Sequence, residues 1–142
     1  MTAVAYRDGV MAADSVGWKG GHIIVPVPPK IWRPAEGGLI GCAGASHEIH
    51  MFKQWMTGCA GIVPDKFDKD EQFEAVWAKP DGSVWQCWHT LHWTPAAPFV
   101  AIGAEVSFMY GALYAGASAE QTVRLVIAHT DGAAGEVQVE RL

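Results

Sequence analysis

Asp8-Gly9 constrains this chain more than any other dipeptide in it. It sits between two short apolar runs, Ala3-Val4-Ala5-Tyr6 and Val10-Met11-Ala12-Ala13. Both residues tolerate positive φ, so Asp-Gly in this setting is a strong signal for a tight hairpin turn. The first strand therefore begins within three residues of the chain start, where most chains fray. The turn also fixes a register. Ala3 falls opposite Asp14, which brings the carboxylate beside Thr2.

The rest of the chain reads as further hairpins and a few helices. A looser Gly- and Pro-bearing stretch runs from Gly17 to Pro29. Lys30 to Arg33 and Gly38 to Ala43 then form a second hairpin, turning at Pro34-Ala35-Glu36-Gly37. Ser46 is placed to cap a helix reaching about Met56, with Glu48 near its positive end and Ile49, Phe52 and Met56 on one face. Gly58 to Gln72 reads as a loop whose charge run, residues 65–71, is solvated surface.

Glu74 to Ala78 and Ser83 to Trp88 form a third hairpin around Pro80-Asp81-Gly82, and Phe99 to Ile102 is a short strand. A helix from about Glu105 ends at Gly116. The next opens with a capping box, Ser118-Ala119-Glu120-Gln121, and runs to about His129; a strand from Glu136 to Arg141 closes the chain. The order ββββ-α-βββ-αα-β implies an α+β fold with helices packed on antiparallel sheets. Residues 1–142 read as a single domain, without repeat or linker.

Composition narrows the function. Half the residues are apolar and 18% are charged, the balance of a globular chain. The net charge of −5 and the lack of a basic block argue against nucleic acid as a partner. No run is long enough to span a membrane and no signal pattern opens the chain, so a cytoplasmic protein is expected. Cys42, Cys59 and Cys87 read as free thiols. Seven tryptophans in 142 residues point to an oligomer, since Trp is favoured at interfaces.

Thr2, Asp14 and Lys30 are polar residues in apolar strand context. One reading is an ion pair at a sheet rim. The other is nucleophilic catalysis by an N-terminal threonine. A free α-amine, with an ordinary pKa of about 8, is a base held on the same residue as the hydroxyl it activates. Lys30 would lower the cost of an alkoxide, and Asp14 would hold Lys30. Because a methionine side chain fills similar space, Lys30→Met is expected to cost little stability. Gly41-Cys42-Ala43-Gly44, at a strand end before a helix, suits backbone N–H groups for an oxyanion.

His47 with His50 and His89 with His92 are spaced i,i+3, which aligns two ligands on a helix but not on a strand. They read as rim or interface residues, with no metal site expected. Met51, Trp55 and Met56 read as core or subunit contact. No glycine pattern matches a nucleotide-binding loop, and no cofactor is expected.

On these residues the chain resembles the proteasome β-subunit family, and more closely its bacterial HslV-type relatives among the N-terminal nucleophile hydrolases. Thr2 ahead of a strand, "RDGVMAAD", "KIWR", "GGLIGCAG", "AIGAE" and "HTDGAAGEVQV" follow the family's order. The Asp14-to-Lys30 separation matches as well. The resemblance implies a four-layer αββα sandwich of antiparallel sheets with Thr2 as nucleophile once Met1 is removed. Aminopeptidases that remove Met accept a residue as small as Thr. It further implies Asp14 and Lys30 as support, an oxyanion donor at Ala43 or Gly44, Asp131 as an accessory carboxylate, and a specificity pocket at Pro28, Trp32, Gly41 and Ala45. The implied substrate is a peptide or unfolded protein, within a homo-oligomeric ring and with an unfolding ATPase as a partner class.

Three departures stand against that pattern. Ala104 and Ala134 occupy positions where the family carries serines near the nucleophile's amine. The second central helix is replaced by the loop from Gly58 to Gln72, which shortens the central helical layer. The alternative reading is therefore a catalytically silent structural or assembly subunit that keeps the fold. Hydrolysis of a small-molecule amide is a third.

Overall fold

Alternation along the strands sorts small residues from large ones, and the layers follow from that sorting. The computed structural model describes residues 1–24, 27–58 and 65–142. Strands β1 (Ala3–Arg7) and β2 (Val10–Asp14) form the expected hairpin, with Val4 opposite Ala13 and Arg7 opposite Val10. Asp8 and Gly9 both take positive φ at its turn. β10 (Phe99–Gly103) and β11 (Val137–Arg141) flank the hairpin, giving an antiparallel sheet of order β10-β1-β2-β11.

A second antiparallel sheet has the order β5-β6-β7-β8-β9. Its strands are Ile31–Trp32, Leu39–Ala43, Glu74–Ala78, Val84–Trp88 and Thr94–Pro95. Large side chains from both sheets share one core: Val4, Tyr6, Met11 and Ile102 from the first, Leu39 and Val76 from the second. The opposite face of the first sheet presents Ala3, Ala5, Ala12 and Ala101, and these small residues let α2 (Val106–Tyr114) and α3 (Ala119–His129) pack closely. The opposite face of the second sheet carries Ile40, Cys42, Ala75 and Trp77, and it packs against Phe52 of α1 (Ser46–Met56). The chain is thus mixed α+β, with helices on antiparallel sheets.

Helix bounds follow the sequence closely, with one correction at a cap. Ser118 and Gln121 complete the expected capping box on α3. Ser46, however, is the first residue of α1; the cap position is Ala45, and no side chain caps it. Glu48 lies in the first turn as expected, but it is buried, and its Oε1 accepts the Asp68 N–H at 2.9 Å.

That bond helps anchor residues 65–71, whose charged side chains are exposed as expected while Phe67 enters the core under α1. The stretch expected to be loose contains a two-stranded ribbon, β3 (Gly17–Lys19) with β4 (His22–Ile24). Cys59 and part of the Gly58–Gln72 segment lie outside the described residues. Of the seven tryptophans only Trp88 is exposed. Trp32 and Trp77 are core, and Trp55 and Trp93 pack on it, so the surplus serves mostly the chain's own interior.

Among the described residues no helix is long and apolar enough to cross a membrane.

Candidate active site

The hairpin register carries Asp14 to the start of β1, where its Oδ1 accepts the Ala3 N–H at 2.9 Å. Lys30, just ahead of β5, reaches the same oxygen with Nζ at 2.8 Å. The Asp14 side chain is 0% exposed and that of Lys30 only 11%. Lys30 Nζ also lies 3.5 Å from the Met1 carbonyl oxygen, part of the peptide bond that joins Met1 to Thr2. Burial pushes the Lys30 pKa down from its usual value, with the Asp14 charge and hydrogen bond opposing. The Met1 amine is lowered too, first by burial and then by Lys30, against the pull of Asp14.

The backbone around Thr2 is held from the other side. Ala104 N–H donates to the Thr2 carbonyl at 2.7 Å, continuing the β1–β10 pairing. Gly103 has φ +93°, and a Cβ there would collide with the Thr2 carbonyl oxygen. Only glycine fits both constraints. Its N–H donates to Glu74 Oε2 at 2.8 Å, tying β10 to β7 of the other sheet.

Lys30 is fixed from below by Gln138 of β11. The Gln138 Oε1 accepts N–H groups of Lys30 (2.9 Å) and Ile31 (3.2 Å), while its Nε2 donates to the Ile31 carbonyl at 2.9 Å. Glu74 and Gln138 escape a reading of the sequence, because their contacts lie 29 and more than 100 residues away.

Two cavities meet at Thr2. The larger, about 780 Å³, runs past Ala43, Gly44 and Ala45 to Glu74, Trp88, His89 and Ala104. The smaller, about 370 Å³, passes Lys30, Pro28 and Trp32 to Cys42 and the α1 residues Ser46, Ile49, His50 and Lys53. Gly44 borders both, next to Thr2, where a backbone donor for an oxyanion was expected. Pro28 and Trp32 share the smaller cavity, whereas Ala45 lies on the larger.

Two expected positions fall elsewhere. Gly41 shares the inter-sheet face of β6 with Leu39 and Ala43, and a side chain there would press on Val4 and Met11. Period-two alternation aims it away from a pocket. Asp131 is exposed in the turn after α3 and lines neither cavity, although the adjoining Gly132 lies against Ala104 and Glu105.

Of the histidine pairs, His50 and His89 border the smaller and larger cavity respectively. Among the described residues no three His, Cys, Asp or Glu side chains gather as a metal-binding group. Cys42 and Cys87 are buried free thiols, with burial raising the pKa of both, that of Cys87 to about 12.

No protein-family model and no curated protein matches the chain. Its fold is shared with solved structures. BPH of Thiobacillus denitrificans, alone and in complex with epoxomicin, superposes with a TM-score of 0.71 at 16% identity. The likeness covers 99% of this chain and 96% and 97% of those chains respectively. At that identity it establishes fold, and epoxomicin binding is a property of BPH.

Proposed function

We propose that this chain is an N-terminal threonine hydrolase of the proteasome β-subunit and HslV type, with a four-layer αββα arrangement. In this reading it is a peptidase that attacks amide bonds with Thr2 once Met1 has been removed. The observation that carries the proposal is the buried Lys30–Asp14 pair, whose ammonium reaches the Met1–Thr2 peptide bond at the junction of two cavities. While Met1 is attached, the Thr2 nitrogen is an amide and cannot act as a base. Its release as an amine beside Lys30, in a partly buried setting, favours the neutral form.

In the reaction the Thr2 hydroxyl oxygen bonds to the substrate carbonyl carbon as its proton passes to the Thr2 amine. The oxyanion is held by the backbone at Ala43 and Gly44. Collapse breaks the carbon–nitrogen bond, and the leaving amine takes the proton from Thr2. Water then hydrolyses the ester, with the amine again as base, freeing the acid and restoring Thr2. Lys30 offsets developing charge throughout, and Asp14 holds Lys30. The substrate is a peptide or unfolded polypeptide and the setting a cytoplasmic homo-oligomeric ring, with an unfolding ATPase as the partner class.

One observation favours the silent-subunit reading: Ala104 and Ala134 bring no hydroxyl to steer the amine's proton. A β-lactone reagent separates the two. Protein whose N-terminal sequencing starts at Thr2 should gain one adduct by intact mass, lost in Thr2→Ala. A folded chain with Thr2 free and no adduct would overturn the enzyme and leave the subunit.

A further inference from the structure

The smaller cavity at Thr2 has apolar walls and a lysine that no carboxylate pairs among the described residues. Pro28, Trp32 and Ile49 supply the walls, and no Asp or Glu borders it among the described residues. Two lysines do. Lys30 is neutralised by Asp14. Lys53, in the last turn of α1, makes no ion pair among the described residues; its Nζ stands 5.7 Å from the centre of the Trp32 ring.

The Lys53 charge also reaches the cavity wall at Cys42, where it opposes the rise in thiol pKa caused by burial and by Cys87. The larger cavity differs, since Lys69 there is accompanied by Glu71 and Glu74.

We infer that the smaller cavity is the specificity pocket for an acidic side chain, a glutamate or aspartate whose carbonyl is the one attacked, with Lys53 as the residue that selects it. The inference rests on the proposed hydrolase and names its substrate class. The methylene stem lies along the apolar wall, and the carboxylate faces Lys53, whose opposite charge attracts it. A lysine side chain in the same pocket meets a like charge, and a leucine leaves the cation unanswered.

Two measurements test this. Cleavage of acetyl-Ala-Ala-Xaa aminocoumarin peptides by protein starting at Thr2 should favour Glu over Leu by about tenfold in kcat/KM, chiefly through KM. Lys53→Met should erase that ratio, and Lys53→Glu should turn preference toward Lys.

The second readout needs no catalysis. In the Thr2→Ala variant, acetyl-Ala-Ala-Glu amide should perturb tryptophan fluorescence and bind about tenfold tighter than its Leu counterpart, an advantage that Lys53→Met removes. Equal binding of the two peptides, or a Glu preference untouched by Lys53→Met, overturns the inference. Failure of β-lactone labelling strikes the hydrolase alone, since peptide binding is read independently of it.

Discussion

Lys30→Met tests the centre of the site, and the burial of Asp14 reverses what the sequence suggests for it. A methionine keeps the stem's packing, so strand position alone predicts a small loss. Yet Asp14 is fully buried, its Oδ1 shared between Lys30 Nζ and the Ala3 N–H, and its Oδ2 has no partner among the described residues. Removing the ammonium strands a carboxylate inside the protein. Breaking a buried pair in this way costs about 3–5 kcal/mol, far above the ~1 kcal/mol of an exposed bridge.

Stability depends on pH in a defined sense through Lys30. Its folded pKa is lowered, so the unfolded state binds more protons as the lysine titrates. The wild type therefore gains stability as pH rises toward 10.5, and the variant does not. Urea denaturation at about pH 7.5 and about pH 10 reads this slope. Lys30→Met combined with Asp14→Asn should recover most of the stability without recovering β-lactone labelling. A loss under about 1 kcal/mol for Lys30→Met at pH 7.5 would refute the claim that Asp14 carries a buried charge.

Two further substitutions probe how Thr2 and Lys30 are held. Gly103→Ala forces a Cβ onto the Thr2 carbonyl oxygen at a positive φ, so it should cost about 1–3 kcal/mol or more and slow labelling of Thr2; unchanged melting and labelling would show that Thr2 is not positioned by β10. Gln138→Leu removes three hydrogen bonds to Lys30 and Ile31 and should lower the labelling rate by more than its stability loss explains, with partial rescue in Gln138→Glu, which keeps the acceptor. Labelling that merely tracks the folded fraction across these variants would reduce Gln138 to a structural clasp.

Most of the fold was legible because its signals are local. Asp8-Gly9, the Ser118–Gln121 box and period-two alternation each act within a few residues, and each specifies its element. The β3–β4 ribbon escaped notice for a physical reason. His22, Ile23 and Ile24 are all exposed, so no buried face imposes alternation on them. Its one cue was Gly20-Gly21, which is also common in plain loops. The edge strand Thr94–Pro95 is too short to show a period. Gly41 was misread although the alternation that corrects it was present: Leu39, Gly41 and Ala43 share one face. Glu48, Glu74 and Gln138 were invisible because a polar residue gives no sign of a partner that only tertiary folding supplies.

The site itself divides along the same line. The hairpin register was enough to set Asp14 beside Thr2, but not to distinguish a rim ion pair from a buried one. The fold contains a rim pair for comparison, Arg33 with Glu140 at 3.8 Å, both side chains well exposed. Such a bridge contributes little and needs no support. Lys30–Asp14 differs in each respect: it is shorter, largely buried, and braced by the Ala3 amide and the Gln138 clasp. A buried pair seldom improves on an apolar substitute of similar volume, so stability alone is a poor reason to place one here. Charge held at fixed distance from the Met1–Thr2 bond, between two cavities, is what a nucleophile at Thr2 requires, because a preorganised cation reorganises little when negative charge develops. The Lys30→Met with Asp14→Asn double variant separates these accounts: a stable fold without labelling assigns the pair to chemistry, and a stable fold with labelling intact assigns it to the sheet.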